Sequence, residues 1–284
     1  MNVRALVFAL AAALPLFAHP PVTVVVDRQG NAYYSDLNRV WKVAPDGTKT
    51  VAVPNVHTHE LYLDAQGNLF GEHLWYEGER TDKWGHYVWR RGTDGKIVKV
   101  IPDTVGFLEN YSFVRDAAGN MYFADRDRKR VQKRAANGTT TVVASNLQNI
   151  RWMTAGSDGT VHLIDRTDLV RITPRGEAAV VARELARPSL FGIHIGPQHS
   201  VMGLWTDRAR NVYAAVYEED LVKRIAPNGK VTVAATSSGM WSPVGGAFAP
   251  NGDLLLLEWS TTNQARLRRI AGAGAGDPRR AHIR

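Results

Sequence analysis

Three short segments of this chain carry side chains whose types suit a binding or catalytic centre: His57-Thr58-His59-Glu60, Glu109-Asn110-Tyr111 and Asn149-Ile150-Arg151. The imidazoles can serve as neutral ligands or as a general base. Glu109 and Asn149 offer hard oxygen donors to a divalent cation, and His57 offers a third, softer one. Arg151 works against that use, because a guanidinium among cation ligands repels the ion. On a strand, His57 and His59 share a face, which is compatible with a site and equally common on a polar rim. His194, His199 and Trp241 stand on adjoining stretches and can join the same opening. Other chemistries are missing: there is no cysteine, and no GxSxG elbow, phosphate loop or HExxH pattern.

A repeat must position these residues. Six times along the chain a turn (DRQGN at Asp27, DAQGN at Asp64, DAAGN at Asp116, SDGT at Ser157, DRARN at Asp207, PNGD at Pro250) is followed by a short apolar run, a base and a second turn. The second turns end at Gly47, Gly95, Gly138, Gly176, Gly229 and Gly274, and five residues before them stand Lys42, Arg90, Lys133, Arg171, Arg224 and Arg269. Two turn markers per unit, with alternating or apolar stretches such as NAYYSD and NMYFAD between them, suit a four-stranded blade. Six such units predict an all-β fold, a six-bladed β-propeller. Trp89 matches Trp41 of the first unit and reads as core.

Propeller sites gather at the mouth of the central channel, beside the innermost strands. Eight residues before the first-turn positions lie Val22, His59, Tyr111, Arg151, Met202 and Val244; ten before lie Pro20, His57, Glu109, Asn149, Ser200 and Ser242. The period of two puts both sets on one side if the inner strands reach that far. The expected mouth is then His57, His59, Glu60, Glu109, Asn110, Tyr111, Asn149, Arg151, His199 and Trp241, with His57, Glu109 and Asn149 as its metal candidates. Two insertions, Trp75 to Tyr87 and Ala182 to Ser200, are expected to emerge on a rim, the first as an extended hairpin.

Residues 1–19 read as an export signal: one charge in Met1 to Arg4, then the uncharged apolar run Ala5 to Ala18, too short for a comfortable membrane span. That predicts a periplasmic or extracellular monomer with the propeller over 20–274 and a flexible tail over 275–284. Neither chain end suits a fourth strand for the last blade, so three strands and closure by packing are expected there. The net charge of +8 is spread around the ring and mixed with acids, as in DRDRKRVQKR from Asp125 to Arg134. This argues for a solvated face and against nucleic acid as a partner.

From Val22 to Gly274 the pattern D-x-x-G-N-x-Y, then V-x-[KR]-h-x-P-x-G, resembles the repeat of NHL proteins and of the six-bladed senescence-marker and gluconolactonase family. The resemblance implies a propeller that binds a small organic or peptidic ligand at its channel mouth. Its lactone hydrolases hold a divalent cation, calcium or zinc, that polarises a carbonyl and acidifies a water, and some propellers with this repeat are zinc-dependent lyases. The family's opening Glu-Gly-Pro has no counterpart in PVTVVVD, and Tyr111, Arg151 and Met202 stand where its asparagines and aspartate are expected. Whether the chain is an enzyme stays open at this point.

Overall fold

The computed structural model describes residues 20–187 and 200–272, which form six antiparallel sheets arranged as propeller blades. Blade one is β1 (Val25–Val26), β2 (Ala32–Ser35), β3 (Arg39–Val43) and β4 (Lys49–Pro54); blade two is β5 (Leu61–Leu63), β6 (Leu69–Tyr76), β7 (Trp84–Arg91) and β8 (Ile97–Val105). Blade three has β9 (Met121–Asp125), β10 (Arg130–Arg134) and β11 (Thr140–Ala144); blade four has β12 (Ile150–Ala155), β13 (Val161–Asp165), β14 (Asp168–Ile172) and β15 (Ala178–Ala182). Blade five is β16 (Val201–Thr206), β17 (Val212–Val216), β18 (Leu221–Ile225) and β19 (Val231–Thr236); blade six is β20 (Trp241–Phe248), β21 (Leu254–Ser260) and β22 (Ala265–Ile270). No helix among the described residues is long and apolar enough to cross a membrane.

The repeat motif is a turn clamp. In blade three, Asp116 accepts the backbone N–H of Ala118 and Asn120, the Asn120 amide (2.7 Å) and the Tyr122 hydroxyl (2.9 Å). Asp27 and Asp207 bind Asn31 with Tyr33 and Asn211 with Tyr213 in the same way. One carboxylate thus satisfies the donors of a tight turn, the reason aspartate and asparagine recur there. Between these turns the apolar residues of second and third strands pack blade against blade. Ile164, Leu169, Val212 and Ile225 fill the gap between blades four and five, and Tyr33, Leu61, Leu69 and Trp89 fill that between one and two.

Blade three departs from four strands. Its innermost stretch makes a single bridge, Arg115 to Met121, plus the Tyr122 to Val114 bond. Local side chains compete for the backbone: Ser112 Oγ accepts the Val114 N–H, and Arg115 Nη1 donates back to the carbonyls of Ser112 and Val114. In blade one the strand starts at Val25 rather than at Val22, whose N–H goes across to the His59 carbonyl at 3.0 Å.

Blade six has three strands among the described residues, and it meets blade one by packing, with Val22, Val24, Met202, Val244 and Leu257 in one buried cluster. The chain ends, on which the signal and tail expectations fall, lie outside the described residues, as do 188–199 of the second insertion. The first insertion is an extended hairpin. Pairing between β6 and β7 continues to Tyr76 and Trp84, and Glu77, Glu79, Arg80 and Lys83 at its tip are exposed. Because β6 runs antiparallel to β5 and the Leu74 N–H already reaches the His57 carbonyl, this hairpin projects on the rim that carries His57.

Candidate ligand site in the central channel

The His57-Glu60 segment is clamped by β6. The His57 N–H donates to His73 Nδ1 (3.0 Å), Thr58 Oγ1 donates to the Glu72 carbonyl (2.6 Å), and the Glu72 carboxylate accepts the His59 (2.6 Å) and Glu60 (3.3 Å) N–H groups. The two imidazoles lie together, ring centroids 4.8 Å apart, and His59 Nδ1 is 3.3 Å from Glu72 Oε1. The other Glu72 oxygen is buried without a partner. Burial, then the neighbouring His59, pushes His57 down to about 4, so this imidazole is neutral at physiological pH. His73, stacked on Tyr87 at 4.8 Å, is lowered chiefly by burial and then by Lys99.

Blades three and four face this segment with basic and aromatic groups. The Arg115 guanidinium lies over the rings of Tyr62 (5.5 Å) and Tyr111 (5.3 Å). Arg126 donates Nε to the Ile150 carbonyl at 3.2 Å. Arg151 keeps a buried Nε with no hydrogen-bond partner, and its pKa is lowered first by burial and then by Arg126. The inner ring is therefore divided: blades two, three and four supply a polar crescent, whereas Val22, Met202 and Val244 of blades one, five and six pack as an apolar plug with Trp152 against it.

Below the plug lies a cavity of about 580 Å³ that runs along the inner strands to the first-turn rim, reaching Asp27, Ser157, Asp207 and Pro250. Glu60, Tyr62 and Arg115 are polar groups in its wall. Glu60 is half-buried, and its carboxylate has no hydrogen bond or ion pair among the described residues. Burial, reinforced by the nearby Glu72 charge and only partly offset by His59, Arg126 and Arg115, raises its carboxyl to about 7.

Of the residues expected at the mouth, Glu60 lines the cavity, and His57 and His59 sit beside it on the clamped segment. Tyr111 is half-buried against Phe113, ring centroids 5.3 Å apart. Glu109 and Asn110 are exposed on the connection from β8 to β9, Asn110 with a left-handed φ of 54°. Asn149 is exposed too, its N–H held by Asp165 at 2.5 Å. Trp241 opens β20 under the Arg266 guanidinium, 4.2 Å from its ring. His199, like His194, lies outside the described residues. Glu72, Tyr62, Arg115 and Arg126 were missed. The count to eight and ten residues before each turn overshot the cavity, which is lined mostly from six residues before the turn onward, and a lone acid in the apolar strand LFGEHLWY was the one signal for Glu72.

Among the described residues the expected donors do not gather into a calcium or zinc site. No three His, Asp or Glu side chains among the described residues are arranged to hold one, Glu109 and Asn149 are solvent-exposed, and Arg115 and Arg126 bear on the half-buried Glu60. Outside the channel, the basic stretch in blade three is partly neutralised, since Asp125 binds Arg128 (3.3 Å) and Arg130 (2.9 Å).

The fold is that of the six-bladed propellers among which gluconolactonase-like proteins stand. An auxiliary nutrient binding protein from Bacteroides ovatus is similar at 13% identity, over 89% of this chain and 69% of that one, with a TM-score of 0.60. A streptogramin B lyase is similar at 12% identity, 90% and 96% coverage and a TM-score of 0.57. Regucalcin from Agrobacterium tumefaciens, a calcium-binding protein, is similar at 16% identity, 84% and 82% coverage and a TM-score of 0.52. No protein-family profile and no curated protein matches the sequence.

Proposed function

We propose that this protein is an exported β-propeller that binds a small organic or peptidic ligand in its central channel. The observation that carries this reading is Glu60: a part-buried carboxyl, unpartnered among the described residues, in the wall of a cavity of about 580 Å³ that Tyr62 and Arg115 also line. Such a wall suits a ligand with a hydrogen-bond donor for Glu60 and a carbonyl or carboxylate for Arg115, the remaining contacts being a mixture of apolar and polar ones. Nutrient-binding relatives in fold support the binding reading. A carboxyl near 7 is also suited to proton transfer, which keeps a hydrolase or lyase as the second reading. The apolar run Ala5 to Ala18 supports export, and N-terminal sequencing of protein recovered from the periplasm or medium tests it.

Glu60→Gln tests the site twice. In a thermal-shift panel of amino acids, short peptides and sugar acids, a ligand that stabilises the wild type is expected to lose about tenfold or more in affinity with Glu60→Gln and with Arg115→Gln. The free protein gives the second readout. An unfolded glutamate releases its proton near 4.5 and the native Glu60 near 7, so the native state holds an extra proton between these values. That contribution to stability is fully present below about 4.5 and is lost as pH rises through 7. Glu60→Gln should therefore exceed the wild type in stability at pH 8 by about 1–3 kcal/mol and show little difference at pH 4. Urea denaturation at the two pH values checks this, and equal curves at pH 8 would remove Glu60 from the argument.

A further inference from the structure

Blade four breaks the repeat at three places that act together. Where blades one, three and five have aspartate, asparagine and tyrosine, it has Gly156, Thr160 and His162. In those blades the tyrosine ring fills the gap to the next blade: Tyr33 packs with Leu61 and Leu69, Tyr122 approaches the Gly159 carbonyl, and Tyr213 meets Phe248 at 4.9 Å. His162 faces blade five in the row of Ile164, but a smaller ring leaves the space unfilled. A cavity of about 540 Å³ opens there, on the first-turn rim.

Its polar wall is predominantly basic. Arg171 pairs across the sheet with His162, and blade five adds Arg208 and Arg210. His162 is only 9% exposed. Its Nδ1, like the Nε of Arg171, is buried without a hydrogen-bond partner. The corresponding Arg224 of blade five also has an unpartnered Nε, but its Nη2 donates to the Asn211 amide oxygen at 3.1 Å, whereas Thr160 offers blade four no such amide. Of the two acids in the wall, Asp207 holds Asn211 and Tyr213, while the exposed Asp158 accepts the Thr160 N–H and offsets part of the charge of Arg210. Buried polar nitrogens left idle are costly unless a partner arrives, and beside guanidiniums an anionic acceptor is the partner favoured.

We propose that this pocket between blades four and five binds the oxyanion of a small molecule, a phosphate or carboxylate group gripped by Arg171, Arg208 and Arg210 and hydrogen-bonded by His162. The pocket adjoins the channel cavity, sharing Gly156, Ser157, Thr206, Asp207 and Arg208 with it, but the proposal does not rest on the function proposed for the channel. Calorimetric titration of the full chain with inorganic phosphate, and separately with succinate, tests it and tells the two chemistries apart. One of the two is expected to bind with 1:1 stoichiometry, about tenfold or more weaker in Arg171→Gln. His162→Tyr, which restores the ring found in three other blades, should abolish binding while leaving the thermal midpoint at or above that of the wild type. Absence of saturable heat from both anions up to about 10 mM, or wild-type affinity in His162→Tyr or in Arg171→Gln, would overturn the proposal.

Discussion

Gly245→Ala is expected to lower the stability of the protein by about 3 kcal/mol, a fall in thermal midpoint of about 6–12 °C. A methyl group on this glycine would stand 2.1 Å from the Val22 carbonyl oxygen and 2.7 Å from its carbon. These are backbone atoms, so no rotamer change relieves the overlap. Val22 is tied on its other side, its N–H bonded to the His59 carbonyl, and Gly203 already lies against both Val22 and Val244. The first and last blades must therefore separate to admit the methyl. Thermal unfolding followed by circular dichroism measures the effect. A midpoint within a degree or two of the wild type, a shift of well under about 1 kcal/mol, would show that closure does not depend on this contact.

Glu258→Ala should cost about 2–4 kcal/mol at pH 7. Its carboxylate is fully buried on β21 and accepts from Ser237 Oγ (2.6 Å), Arg266 Nε (2.6 Å) and Arg268 Nε (3.1 Å), while Arg268 also donates to the Thr236 carbonyl at the edge of blade five. Removing the acid leaves two part-buried guanidiniums without their anion. The two arginines retain some solvent, which keeps the expected loss below that of a wholly buried pair. Burial opposes ionisation of Glu258, but the hydrogen bonds from Arg266, Ser237 and Arg268 outweigh it and hold its pKa below the ordinary glutamate value. A depressed carboxyl stabilises above the unfolded pKa and ceases to as pH falls through the folded one. The gap between variant and wild type should accordingly be full at pH 7 and shrink below about pH 4, which paired urea titrations measure. A gap that persists unchanged in acid would assign the loss to packing rather than to the charge.

The architecture was legible because its signals are local. Asp116, Asn120 and Tyr122 lie within one turn and one strand, and the clamp they form needs no distant partner; the same holds for the hairpin from Trp75 to Tyr87, whose length and charge mark it as a surface excursion. Trp89 was legible as core by its match to Trp41, although its burial rests on Gly71, which leaves room for the indole where a methyl group would meet it at 2.3 Å. The rudimentary inner strand of blade three was not legible, since Ser112 and Arg115 take its hydrogen bonds through contacts that the apolar pattern does not encode.

What the sequence determined by itself is the number of blades, their order and their register, because turn chemistry and strand period act over a few residues and repeat six times. The tertiary structure alone decided which side chains share a space. Val22, Met202 and Val244 hold the same register position as His59 and Arg151, yet they close half of the ring and leave the cavity below them, with Glu60 in its wall. Likewise His162 differs from its tyrosine counterparts by a single ring in the sequence, and only the packing of blade five against it turns that difference into a pocket. Closure of a ring joins residues far apart in the chain, and the volume left between them depends on every blade at once.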